Sequence, residues 1–145
     1  MNTNRGISLI ELLIGASILT IVMVALVVVF QSFLVNSFTS VEKVQGALLA
    51  EEGIEAVKSI RDNDWGNLSD GTHYLTFSSD WSFTETPETI GIFSRTVLIE
   101  GAYRDVADDL ASSGTSDPDT KKITVTVNWS AGTETIETYI TNIHE

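Results

Sequence analysis

Residues 5–15 read RGISLIELLIG, and the interpretation of the whole chain turns on this stretch. Arg5 and Gly6 close a short polar start, and the apolar run that follows is interrupted by one carboxylate, Glu11. From Leu12 to Val41, 30 positions, there is no charged residue. At ~1.5 Å per residue a helix over Leu12 to Val35 reaches ~36 Å, more than the ~30 Å hydrocarbon thickness of a bilayer. The run exceeds the ~7–15 apolar residues of a secretory signal, and Gln31-Ser32-Phe33-Leu34-Val35-Asn36 lacks the small-residue cleavage pattern. A membrane span over Leu12 to Val35 is therefore predicted. Arg5, the only closely flanking basic residue, places the N-terminus in the cytoplasm and the C-terminal part outside.

Glu11 then needs a reason. A carboxylate in a span costs about 2.5–3.5 kcal/mol at mid-depth and less near an interface. Two readings stand on physics alone. Glu11 rests in the headgroup zone, favoured by the positive end of the helix dipole, or it meets a partner that neutralises it.

Gly6-Ile7-Ser8-Leu9-Ile10-Glu11 resembles the cleavage motif of type IV prepilins and type II secretion pseudopilins. That motif is a polar leader ending in glycine, then a hydrophobic first mature residue, with glutamate at the fifth mature position. Ile7 stands where phenylalanine is commonest and Ser8 where threonine is, both keeping the chemical type. The resemblance implies that a prepilin peptidase in the membrane cuts between Gly6 and Ile7 on the cytoplasmic face and methylates the Ile7 amine. The spacing has a physical sense. Glycine lets a protease approach the backbone closely, and Glu11 lies four residues, about 6 Å of rise, along the helix from the new amine. The resemblance makes Glu11 an assembly contact, its carboxylate meeting the Ile7 amine of an axially offset neighbour.

Beyond Val35 the pattern becomes amphipathic with no intervening Pro. Phe38, Val41, Val44 and Leu48, then Ala47, Ala50, Ile54 and Val57, recur at intervals of three or four and predict one buried helix face. Gly46 and Gly53 weaken the helix by about 1 kcal/mol each and allow bending or close packing. Asp62-Asn63-Asp64-Trp65-Gly66 supplies the stop, so one helix from Ile7 to about Arg61 is expected.

Lys122 to Trp129 alternates strictly, with Ile123, Val125, Val127 and Trp129 on one face, and is the clearest strand. Ser130-Ala131-Gly132-Thr133 turns into Glu134 to Thr141, completing a hairpin. Ile92 to Glu100 is a third strand and His73 to Phe77 a fourth. Asp62 to Thr72, Asp80 to Gly91 and Gly101 to Thr120 read as polar connections. The fold class expected is α+β: a type IV pilin fold with a long N-terminal helix, membrane-spanning in its first half, packed on a small antiparallel sheet. The organisation expected is a leader over 1–6, a transmembrane and filament-core helix over 7–35, an amphipathic helix half over 36–61 and a β-sheet head over 62–145.

The charge is divided as sharply as the hydropathy: the net −12 comprises +1 in residues 1–6, −2 in 7–61 and −11 in 62–145. An acidic head repels phosphates, so no nucleic-acid partner is expected. Cysteine is absent, which removes disulfides, thiolate nucleophiles and cysteine metal sites, and also the disulfide that closes the head of Gram-negative major pilins. Asp105, Asp108, Asp109, Asp117 and Asp119 could offer oxygen to calcium. Without the 12-residue calcium-loop spacing, a solvated acidic loop is the expectation, and no metal or cofactor is assigned. His73 and His144 stand alone, with no serine motif or phosphate loop, so no catalysis is expected.

The local string Ala50-Glu51-Glu52-Gly53-Ile54-Glu55-Ala56-Val57 resembles the helix of minor pilins. The expected function is that of a structural subunit, a minor pilin of a type IV pilus-like filament. A type II secretion pseudopilin is the alternative, and a non-polymerising anchored binding module the third, though it gives no reason for Gly6 or Glu11. The partners implied are other pilin subunits, the prepilin peptidase, an inner-membrane assembly platform, and membrane lipid before assembly. The location implied is a single-pass inner or cytoplasmic membrane protein that passes into a surface filament or a periplasmic pseudopilus.

Overall fold

The computed structural model describes residues 8–143, so Gly6, Ile7 and His144 lie outside the described residues. Its first element is one α-helix, α1, Leu9–Asn63, of 55 residues. The chain divides into two compact units, Met1–Val41 and Glu42–Glu145.

In the first unit α1 is apolar around its whole circumference, as the absence of any charge between Leu12 and Val41 requires. Its large side chains are all exposed; the most covered of those from Leu9 to Val35, Leu34, keeps 38% of its surface. The hydroxyls between Leu12 and Val35 are satisfied within the helix. Ser17 Oγ donates to Leu13 O at 2.7 Å, Thr20 Oγ1 to Ala16 O at 2.8 Å and Ser32 Oγ to Val28 O at 3.1 Å. Each bond runs back one turn, so these residues leave no unpaired donor facing an apolar solvent. Among the described residues this is the one helix long and apolar enough to cross a membrane.

In the second unit the end of α1 packs on an antiparallel sheet. The helix stops where Asp64 Oδ1 accepts from Gly66 N at 2.8 Å, nucleating a 3-10 turn over Trp65–Asn67. The strands are β1 Gly71–Phe77, β2 Trp81–Thr84, β3 Glu88–Ile90, β4 Phe93–Arg104, β5 Leu110–Ala111, β6 Thr115–Trp129 and β7 Gly132–Thr141. The order is β2-β1-β4-β6-β7, with β3 and β5 also pairing with β4. All pairs are antiparallel, and β4 with β6 forms the central ladder. Alternation on these two strands sends Phe93, Val97 and Ile99, and Ile123, Val125, Val127 and Trp129, to one face. There they meet Ala50, Ile54, Ala56, Val57 and Ile60 of α1 in a single core. Burying a residue such as Val57 or Ile60 contributes roughly 1.5–3 kcal/mol. The α+β, pilin-like architecture expected from the sequence is the one observed.

Three expectations are corrected. Of the expected helix face, Ala50, Ile54 and Val57 are buried against the sheet, but Val44 and Leu48 are each 59% exposed, and Phe38 and Val41, in the first unit, are 68% and 53% exposed. Small residues take their place: Gly46, Ala50, Gly53 and Ala56 are buried. A Cβ on Gly46 would stand 2.8 Å from the Trp129 ring, and one on Gly53 2.8 Å from Val125 Cγ1. The glycines thus set the distance between helix and sheet, and bulk on that face would hold the two layers apart.

The segment Asp80 to Gly91, read as a polar connection, carries β2 and β3. Gly101 to Thr120 is largely strand as well: β4 continues to Arg104, β5 is a two-residue strand and β6 begins at Thr115. Pairing carries through that region by a register shift, Gly101 opposing Lys121 and Ala102 opposing Asp117. A bulge of this kind breaks the simple alternation that marks a strand in sequence.

Candidate functional site

Glu11 lies in the first turn of α1, one turn after Ser8, whose carbonyl accepts from Leu12 N at 3.1 Å. It is exposed, and among the described residues it has neither a hydrogen-bond nor an ion-pair partner. Around it Leu9, Ile10, Leu12, Leu13 and Ile14 are 54–79% exposed. The arrangement is an apolar cylinder with one carboxylate near its N-terminal end. Apolar surface on this scale requires a cover, which lipid or neighbouring helices can supply. No Cβ added at Gly15 would meet another atom within 4 Å, so this glycine is not explained by contacts within the chain.

The family description of the prokaryotic N-terminal methylation motif matches residues 1–27. The chain carries a prepilin-type signal. The match includes Gly6, Ile7 and Glu11 and ends before the second unit begins. No curated protein and no solved structure matches the chain. A prepilin signal implies processing by a prepilin peptidase and assembly with other pilin subunits. Together with the α+β architecture it marks a pilin- or pseudopilin-like structural protein, and the apolar helix that follows it fits a membrane anchor.

Behind the prepilin signal, the second unit is fastened by a residue that composition and periodicity did not single out. Arg95 sits on the inward face of β4, only 1% exposed. Its Nη1 donates to Leu49 O at 2.8 Å and to Glu52 Oε2 at 2.9 Å, both on α1. Its Nε and Nη2 grip the two oxygens of Glu88 on β3 at 2.9 and 2.7 Å. The guanidinium lies 5.7 Å from the Trp81 ring centroid. Burial works against the charge, but the bonds to Glu88, and then to Glu52, outweigh it and hold Arg95 above its ordinary range. One cation thus ties helix, central strand and edge strand together. The signal available in sequence was parity: Arg95 falls in phase with Phe93, Val97 and Ile99.

Of the aspartates named as possible calcium ligands, Asp108, Asp109 and Asp117 act on a cation already present, Arg104. Arg104 Nε donates to Asp117 Oδ2 at 2.7 Å, Nη1 donates to Asp108 O at 2.8 Å, and the Asp108 carboxylate is 3.7 Å away. Asp105 Oδ1 accepts from Ala107 N and Asp109 N, closing the turn between β4 and β5. Asp117 Oδ1 accepts from Asp119 N at 3.0 Å. The bond from Arg104, helped by one from Thr120, holds the Asp117 carboxyl below its usual range, and Asp117 in turn raises Arg104. Among the described residues no three His, Asp or Glu side chains are grouped as a metal ion would need. His73 accounts for itself locally: Nε2 is 2.8 Å from Ser69 O, and its ring lies 4.7 Å from that of Phe83.

Proposed function

We propose that this chain is the precursor of a minor pilin in a type IV pilus-like filament. The observation that carries the reading is Glu11, unpartnered among the described residues at the start of a helix whose apolar first stretch is exposed. A carboxylate so placed is costly in a membrane unless a positive charge meets it. Hydrolysis of the Gly6–Ile7 peptide bond leaves the leader with a carboxylate at Gly6 and the mature chain with an amine at Ile7, which the peptidase methylates. In this reading the cut and the methylation occur on the cytoplasmic face. The span Leu12 to Val35 then holds the subunit in the inner or cytoplasmic membrane, head outward. An assembly platform lifts it so that Glu11 pairs with the Ile7 amine of a neighbour.

Glu11→Ala tests the pairing. Membrane levels of the variant are expected to match the unaltered chain while its amount in sheared surface filaments falls at least tenfold. Normal incorporation would overturn the pairing. The pseudopilin alternative is separated by location: an unaltered chain confined to the periplasm, with none in sheared filaments, assigns it to a secretion system instead.

A further inference from the structure

The outer face of the sheet, turned away from α1, carries a groove of about 620 Å³. Its floor is a row across three strands: Glu100 on β4 opposes Lys122 on β6, which opposes Tyr139 on β7. The bulge after Gly101 turns Tyr103 to this same face while Ala102 is buried. Leu110 of the short strand β5 forms one wall, and Asp70 borders the groove beside Gly71. Tyr103 and Tyr139 keep 42% and 44% of their surface, as does Leu110 at 44%. The hydroxyls of Tyr103, Tyr139 and Ser112 and the carboxylate of Glu100 make no hydrogen bond to any described residue.

The charges in the groove select the class of ligand. Lys122, raised above its usual range by its bond to Glu137 at 3.0 Å, stays positive and opposes a cation. Glu100, on a head segment of net charge −11, opposes an anion, while Asp70 is already paired with Lys121 at 2.7 Å. What remains favoured is a neutral molecule with apolar faces for two aromatic rings and many hydroxyls for donors and acceptors of both kinds. We infer that the outer-face groove between Tyr103 and Tyr139 binds a neutral carbohydrate, the rings covering its C–H faces and Glu100, Ser112 and the tyrosine hydroxyls taking its hydroxyls. Its volume lies in the ~300–1,000 Å³ range of small-ligand sites, enough for a short oligosaccharide. The inference rests on the head alone and does not depend on filament assembly.

The test uses the isotope-labelled full chain in amine-oxide detergent micelles, which contain no sugar. The probes are cellotriose, maltotriose, mannotriose and the N-acetylglucosamine trimer, with choline and inorganic phosphate as charged controls. At least one trisaccharide is expected to shift the amides of Gly71, Gly101, Ala102 and Ser112 saturably. Tyr139→Ala should weaken that binding about tenfold, whereas Tyr139→Phe, which keeps the ring, should weaken it only about two- to threefold. Glu100→Gln, at an exposed position, should weaken it about threefold with the amide spectrum of β4 and β6 otherwise unchanged. The inference is overturned if no trisaccharide moves these amides at about 10 mM. It is equally overturned if Tyr139→Ala binds as well as the unaltered chain, or if choline or phosphate alone produces the shifts.

Discussion

Two stretches of one helix, Leu9 to Val41 and Glu42 to Asn63, solve opposite problems with the same backbone. The first is bulky and apolar on every side and buries nothing within the chain. The second buries glycine and alanine, with Ile54, Val57 and Ile60, and leaves Val44 and Leu48 outside. Size as well as hydropathy decides which side chains face the sheet: at the closest approach small residues replace large ones, and Ile54, Val57 and Ile60 fill the space beside them. The large apolar residues that remain outside are those a lipid or a second subunit would cover.

That contrast can be broken most severely at Arg95. Arg95→Ala removes the cation that binds Glu52 and Glu88 and empties a buried position, and is expected to cost about 3 kcal/mol. Urea unfolding of the full chain in micelles, read by fluorescence of Trp65, Trp81 and Trp129, measures it, since all three tryptophans lie in the head. Val57→Ala, at a position 1% exposed, is expected to cost about 2 kcal/mol, while Leu48→Ala, 59% exposed, should change stability by less than about 0.5 kcal/mol. Equal costs would erase the distinction between the two faces.

Glycine gives a finer probe. Gly53→Ala gains about 1 kcal/mol of helix propensity but drives a methyl to 2.8 Å from Val125 Cγ1 and 3.2 Å from Arg95 Cδ. Overpacking of that kind costs roughly 1–3 kcal/mol, so a net loss of about 1 kcal/mol is expected. Gly15→Ala meets nothing and should leave head unfolding unchanged.

The smallest effect is a pH dependence at the Arg104–Asp117 bond. The folded carboxyl of Asp117 titrates below its unfolded value, so its contribution is complete above about pH 4 and is lost as pH falls through the folded value. Arg104→Gln should move the Asp117 midpoint, followed by carboxyl chemical shift, back up towards the ordinary carboxylate range, short of it by what the bonds from Thr120 and Asp119 contribute. An unchanged midpoint would show that the bond does not set it.

How much of this was legible beforehand follows from the same physics. Lys122 to Trp129 announced β6 because strict alternation survives wherever one face is dry and the other wet. The prepilin signal was legible because Gly6, Ile7 and Glu11 work through local spacing and need no fold around them. β2 and β3 were missed because they are four and three residues long, and Pro87 and the adjacent threonines and glutamates read as a turn. The helix face was legible in part, in Ala50, Ile54 and Val57 and in the close packing that Gly46 and Gly53 allow, whereas the periodic bulk of Val44 and Leu48 pointed to positions that stay exposed. Arg95 was hidden by its charge; its partners Glu52 and Glu88 are 43 and 7 residues away, and only the fold brings them together. The outer groove depends on a bulge and a two-residue strand, features with no periodic signature.

In the proposed function the carboxylate of Glu11 is kept for an amine that exists only after cleavage. Mass spectrometry of the N-terminal peptide from membranes and sheared filaments of cells with active prepilin peptidase tests it directly. A mature chain beginning at N-methylated Ile7 is expected. A chain that keeps Met1 to Gly6 in those cells would contradict it.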